Sequence, residues 1–99
     1  MSKTFSQVYI CVISKVRDFC FAGTTITDDT IGGTTIKALN IIADPRMPGV
    51  PPIDGLAANL KNCVEVTIPL DGKWLTDNNT KTVKQVAQYI FNQSEIAGG

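Results

Sequence analysis

The sequence predicts an all-α domain, and three amphipathic stretches predict it. In the middle of the chain Leu56, Leu60 and Val64 recur every fourth residue, with Ile53 and Cys63 at the three- and seven-residue spacings, so one apolar stripe runs down a single helical face. Near the start Phe5, Val8, Val12, Val16 and Phe19 follow the same period, and near the end Val83, Val86, Ala87 and Ile90 do so again.

The first helix is expected from about Ser6 to Cys20, with Lys15, Arg17 and Asp18 largely outside its stripe. Its run Val8-Tyr9-Ile10-Cys11-Val12-Ile13 is rich in β-branched and aromatic side chains and could equally supply a buried strand. Helix is preferred because the polar residues do not alternate. Gly23 and the cluster Thr24 to Thr30 then end the element, since glycine, threonine and aspartate form local turns that compete with regular structure. Gly32-Gly33-Thr34-Thr35-Ile36 echoes Gly23-Thr24-Thr25-Ile26, and the two runs flanking Asp28-Asp29 could form a hairpin. A short helix within Thr35 to Ala43 is the other reading. The segment Asp44 to Pro52 holds four of the five prolines and is expected as a long loop before the central helix.

The central helix has clear limits. Pro51 and Pro52 precede it, where a missing N–H costs little, and Asp54 lies in its first turn, where negative charge suits the helix dipole. After Val64, the β-branched Val66-Thr67-Ile68 and then Pro69 oppose further helix. Leu70 to Asn79 reads as a polar turn region in which Trp74 and Leu75 anchor onto the core. Thr82-Val83-Lys84-Gln85 fits a capping box, in which the threonine and glutamine side chains satisfy each other's backbone N–H groups. From Asn92 onward the chain is expected to fray.

A length of 99 residues with 43% apolar content is one domain's worth of chain, able to bury roughly 60% of its unfolded surface. We read residues 1–99 as a single domain with 93–99 as a frayed tail. Nine basic and nine acidic residues cancel, so charge gives no pointer to nucleic acid or to anionic lipid. No apolar run approaches membrane-spanning length, and Met1-Ser2-Lys3-Thr4 lacks a signal-peptide layout, so a cytoplasmic protein without a membrane partner is expected. Cys11, Cys20 and Cys63 are odd in number and lack paired CxxC spacing, and buried reduced thiols are expected rather than a disulfide framework or a zinc site.

Four motifs in order resemble the acyl carrier protein family. They are the first amphipathic helix, the Ile26 to Thr30 loop, the Leu-x3-Leu-x3-Val-x3-Ile-Pro pattern from Leu56 to Pro69, and the last helix from Thr82-Val83 to Tyr89-Ile90. The resemblance covers most of the chain except Ile31 to Pro48. It implies a small four-helix bundle, here with a long Pro-rich loop before the central helix, in which a serine in an Asp-Ser-Leu motif carries a phosphopantetheine arm. Counting back from Pro69, that position falls at Val50, within Pro48-Gly49-Val50-Pro51-Pro52. Valine has no oxygen to carry the arm, and no serine lies between Ser14 and Ser94. The expectation is therefore a degenerate, non-catalytic carrier-like domain without phosphopantetheine or another cofactor. It would bind a fatty-acid or polyketide synthase, or an acyl-modifying enzyme, through Val50, Asp54, Lys61 and Glu65, with room for a small apolar ligand between its helices. A genuine carrier with an unrecognised attachment site is the second reading, and an unrelated α+β interaction domain is the third.

Other chemistry is thin. The chain has no histidine, which removes the usual Ser-His-Asp and Cys-His arrangements and the commonest metal ligand. Cys63 sits beside the apolar stripe with no base near in sequence, so packing outweighs nucleophilic duty. Asp28-Asp29 lacks the spaced oxygens of a calcium loop, and Gly32 to Thr35 lacks the Gly-Lys-Ser/Thr ending of a phosphate loop. Arg46 reads as a solvated charge, and Trp74 as a core anchor before a binding hot spot.

Overall fold

A Thr-x-x-Gln box opens each of the two long helices. In the computed structural model, which describes residues 4–20, 28–39, 41–42, 45–46 and 48–98, α1 runs Phe5–Cys20. Ahead of it, Gln7 N–H donates to Thr4 Oγ1 at 3.2 Å and Thr4 N–H donates to Gln7 Oε1 at 2.8 Å. The expected box at the last helix has the same geometry. Thr82 N–H donates to Gln85 Oε1 at 2.8 Å and Gln85 N–H to Thr82 Oγ1 at 3.2 Å. Each box satisfies N–H groups that the first helical turn leaves without partners.

Between these helices lie α2 (Asp28–Gly32), a 3₁₀ turn (Ile36–Ala38), α3 (Pro52–Lys61) and α4 (Gly72–Asp77), and the last helix, α5, runs Val83–Gly98. α1 packs against both α5 and α3, α4 packs on α3, and α2 lies beside α1 and α5. The valine stripes meet as the periodicity requires: Val8, Val12 and Val16 of α1 and Val83, Val86, Ala87 and Ile90 of α5 are buried with Leu56, Leu60 and Leu75. At the α1 end, Phe5 stacks on Tyr9 and meets Phe91 edge-on with centroids 6.0 Å apart. The start of α5 is tied down a second time. Val83 N–H donates to Thr34 O, Ile36 N–H to Lys81 O and Lys37 N–H to Asn79 O, around one isolated bridge between Thr35 and Thr82.

The described residues form helices and turns without a β-strand, so the all-α expectation stands at that level. Val8 to Ile13 lies inside α1, which removes the strand reading of that run and with it the basis for an α+β domain there. Residues 21–27 lie outside the described residues, including most of the expected Thr24 to Thr30 turn. Asp28 and Asp29 are not turn residues, because they open α2. The short helix expected within Thr35 to Ala43 is a single 3₁₀ turn, ended where Leu39 is extended.

Four expectations need correcting. Leu70 to Asn79 is not a plain turn region: Asp71 caps α4 by accepting from Trp74 N–H at 2.8 Å, a signal masked by the flanking glycine. The central helix stops at Lys61, short of Val64. Asn62 and Cys63 N–H turn back to Asn59 and Leu60 carbonyls in 3₁₀-type bonds, which tightens the last turn and drives Cys63 inward. α5 continues through Asn92 to Gly98, with Ser94 Oγ donating to Phe91 O, so the expected frayed tail is helical. Finally, Cys11 and Cys63 are joined as a disulfide across 52 residues, with Cα atoms 5.7 Å apart, within normal bridging reach. Only Cys20 is free among the described cysteines. It is buried, and burial pushes its thiol pKa up to about 11.

Candidate functional site

The α3–α4 corner carries a surface groove of about 440 Å³. Lys61, the last residue of α3, stands on one side, and the connection Ile68 to Asp71, which turns at Pro69 as Leu70 N–H donates to Ile68 O, forms a wall. α4 contributes Lys73, Trp74 and Asp77, and α5 contributes Tyr89. The Trp74 and Tyr89 rings stack with centroids 4.1 Å apart and planes 23° from parallel. Tyr89 Oη donates to Pro69 O at 2.8 Å, which holds the connection against α5. This leaves a floor of two half-buried aromatic rings edged by apolar and charged groups.

Most of the polar groups here are already engaged. The Asp71 carboxylate accepts from the α4 backbone and lies in the field of Lys73. Lys73 Nζ pairs with Asp77 Oδ2 at 2.9 Å, and that hydrogen bond together with the Asp77 charge raises the ammonium pKa. The pair is exposed at both ends and adds little stability. Burial, and then the Asp71 charge, raise the pKa of the Tyr89 phenol, so it remains a hydrogen-bond donor at neutral pH. Lys61 differs: among the described residues no carboxylate pairs with its ammonium. Its place at the C-terminus of α3 suits the helix dipole, which is a sufficient structural reason for a cation there.

The residues expected to meet a partner are not gathered in one place. Val50 is 37% exposed beside Gly49, whose φ of 83° requires glycine. Asp54 is half-buried, and its carboxylate lies over Gly72 at the start of α4, where a β-carbon would collide with it. Glu65 is exposed in the turns after α3. A ten-residue helix spans about 15 Å, so Val50 and Asp54 stand at one end of α3 and Lys61 and Glu65 at the other. Only Lys61 reaches the groove.

Arg46 is not merely solvated. Its Nη2 donates to Asn59 Oδ1 at 3.0 Å, while Asn59 Nδ2 donates to Gly55 O at 2.8 Å. Asn59 is 3% exposed and is the buried polar residue of the described core, so this contact pins the Pro-rich segment across α3. Cys63, fully buried and bonded to Cys11, holds no thiol to act as a nucleophile. Trp74 packs on the core, as the sequence suggests, and its ring also lines the groove. Sequence reasoning missed Tyr89 and Asp71. The Asp71-Gly72-Lys73-Trp74 cap could have located α4, but nothing in sequence pairs Trp74 with Tyr89, which lie on different helices.

The groove supplies aromatic faces, an ammonium that no carboxylate among the described residues pairs, and engaged carboxylates, a set suited to holding a ligand. No family model, curated protein or solved structure matches this chain, so fold and groove stand on the chain's own geometry.

Proposed function

We propose that this chain is a non-catalytic docking domain of acyl-carrier-protein-like build, with the prosthetic-group position left blank. In this reading α1, α3, α4 and α5 are the four helices of the bundle, with α2 a short addition. The partner is a fatty-acid or polyketide-type synthase, or an acyl-modifying enzyme, met through the outer side of α3 and the Pro-rich segment before it. Val50 carries the reading. It is exposed two residues ahead of α3, where a carrier would place its modified serine, and the proline at the N-cap and the proline after it leave no hydroxyl at the helix entrance.

Asp54 belongs to the support of α4 in this scheme, while Val50, Lys61 and Glu65 are left for contact. Among the described residues no helix is long and apolar enough to cross a membrane. The Cys11–Cys63 bond weighs against a cytoplasmic location, because reducing compartments keep such pairs as thiols.

The test is the intact mass of the chain after incubation with a broad-specificity phosphopantetheinyl transferase and coenzyme A. The expected outcome is an unchanged mass. A gain of one phosphopantetheine would overturn the blank-site reading in favour of a genuine carrier, and peptide mapping would name the hydroxyl used.

A further inference from the structure

The groove at the α3–α4 corner is not absorbed by a blank carrier site, since Val50 lies at the far end of α3. From its own chemistry we infer that it binds a small apolar carboxylate, with the apolar body on the Trp74–Tyr89 stack and the carboxylate at Lys61. Its volume of about 440 Å³ is that of a small-molecule site. The stacked rings and the Pro69 wall offer apolar surface that water solvates poorly, and this favours an apolar body.

Charge selects the other end of the ligand. Asp77 is held by Lys73, Asp71 is committed to the α4 cap and feels Lys73, and Tyr89 Oη is spent on Pro69 O. Of the charged side chains lining the groove, the Lys61 ammonium is the one with no carboxylate bonded to it among the described residues. A ligand ammonium would meet it with repulsion, and a neutral ligand would leave it unmatched. A carboxylate makes a charge-assisted hydrogen bond there. Asp71 and Asp77 oppose any anion placed deep in the groove, so the carboxylate lies at the α3 side and the apolar body over the rings. This inference stands independently of the carrier reading.

Trp74 is the chain's single tryptophan, so its fluorescence reports on the groove directly. The full-length oxidised chain is titrated with 4-tert-butylbenzoate and, separately, with its neutral amide, following Trp74 emission and backbone amide shifts by NMR. The expected result is saturable binding of the acid at submillimolar to millimolar concentration, with shifts confined to Lys61, to Ile68 through Asp77 and to Tyr89. The acid should bind about threefold tighter than the amide, as suits one half-exposed charge pair. Lys61→Gln, at a half-buried surface position, should equalise the two probes while leaving the NMR spectrum folded. Absence of saturation, shifts centred elsewhere, or an acid preference that survives Lys61→Gln would each overturn the assignment. Phosphopantetheinylation of the chain would refute the blank carrier and leave this result untouched.

Discussion

The α1–α5 pair and the α3–α4 corner of the same molecule are held together in different ways. α1 and α5 are sixteen residues each, open with matching capping boxes, and bury apolar stripes, Val8 to Cys20 in α1 and Val83 to Ile90 in α5. Their stability is spread over many small contributions. α3 and α4 are ten and six residues long, too short to persist alone, and single residues hold them: the Cys11–Cys63 bond, the Arg46–Asn59–Gly55 contact, Asp71 as a cap, and Gly72 beneath Asp54. The groove forms at the second region, where the backbone turns often enough to bring side chains from three helices together.

The sharpest way to break this contrast is to cut the bond that ties the corner to the long pair. Cys63→Ser, or reduction of the wild type, reopens a 52-residue loop, which on chain-entropy grounds is worth about 4 kcal/mol. For a domain of this size that lowers Tm on the order of 20 °C. Thermal unfolding of oxidised and reduced protein measures it, with Cys20→Ala as the background so that no free thiol exchanges. A Tm that ignores reductant would mean the two regions are joined by packing alone.

Gly72 sharpens the contrast within the corner. A β-carbon there would strike the Asp54 carboxylate and approach Asp54 Cα to 3.2 Å. Gly72→Ala should therefore cost about 1–3 kcal/mol despite alanine's better helix propensity. In an Asp54→Ala background, where the carboxylate is gone and only the Cα approach remains, the same change should cost under about 1 kcal/mol. Urea unfolding of the four proteins closes the cycle. Equal costs in both backgrounds would show that Asp54 does not support the start of α4, and would return it to the docking surface.

The same contrast explains what could be read from the sequence. Periodicity reports a helix when many residues repeat one preference, and α1 and α5 do so. The valine spacing and the Thr82–Gln85 box located α5, and the α1 stripe outweighed a β-branched run that pointed to a strand. α3 was found by its leucines but placed three residues too long, because its end is set by 3₁₀ bonds at Asn62 and Cys63 and by a partner cysteine 52 residues away. α4 was hidden because six residues hold under two turns of pattern, and its cap is one aspartate before a glycine. Of the four expected contact residues, only Lys61 belongs to the groove. Trp74, Tyr89 and Asp71 become neighbours through the packing of α3, α4 and α5, a relation that no spacing along the chain records.

The two capping boxes offer the finest comparison, since their geometry is matched to 0.1 Å and only their surroundings differ. Thr4 is exposed, and the start of α1 is held by the Phe5 ring on Tyr9 and Phe91 with no backbone bond to another segment among the described residues. Losing the Thr4 hydroxyl can therefore be relieved by fraying at Thr4 itself. Thr82 is half-buried, and its neighbour Val83 is fixed by the bond to Thr34 O, so α5 cannot fray there without breaking the bridge as well. Thr82→Ala should cost about 1 kcal/mol and Thr4→Ala nearer 0.5 kcal/mol, with serine at either position retaining most of the cap. Denaturation midpoints at unchanged m-value resolve the difference. An equal or larger loss at Thr4 would mean that anchoring at the start of α5 stands in for the cap instead of depending on it, and that distributed support in the long pair extends to its ends.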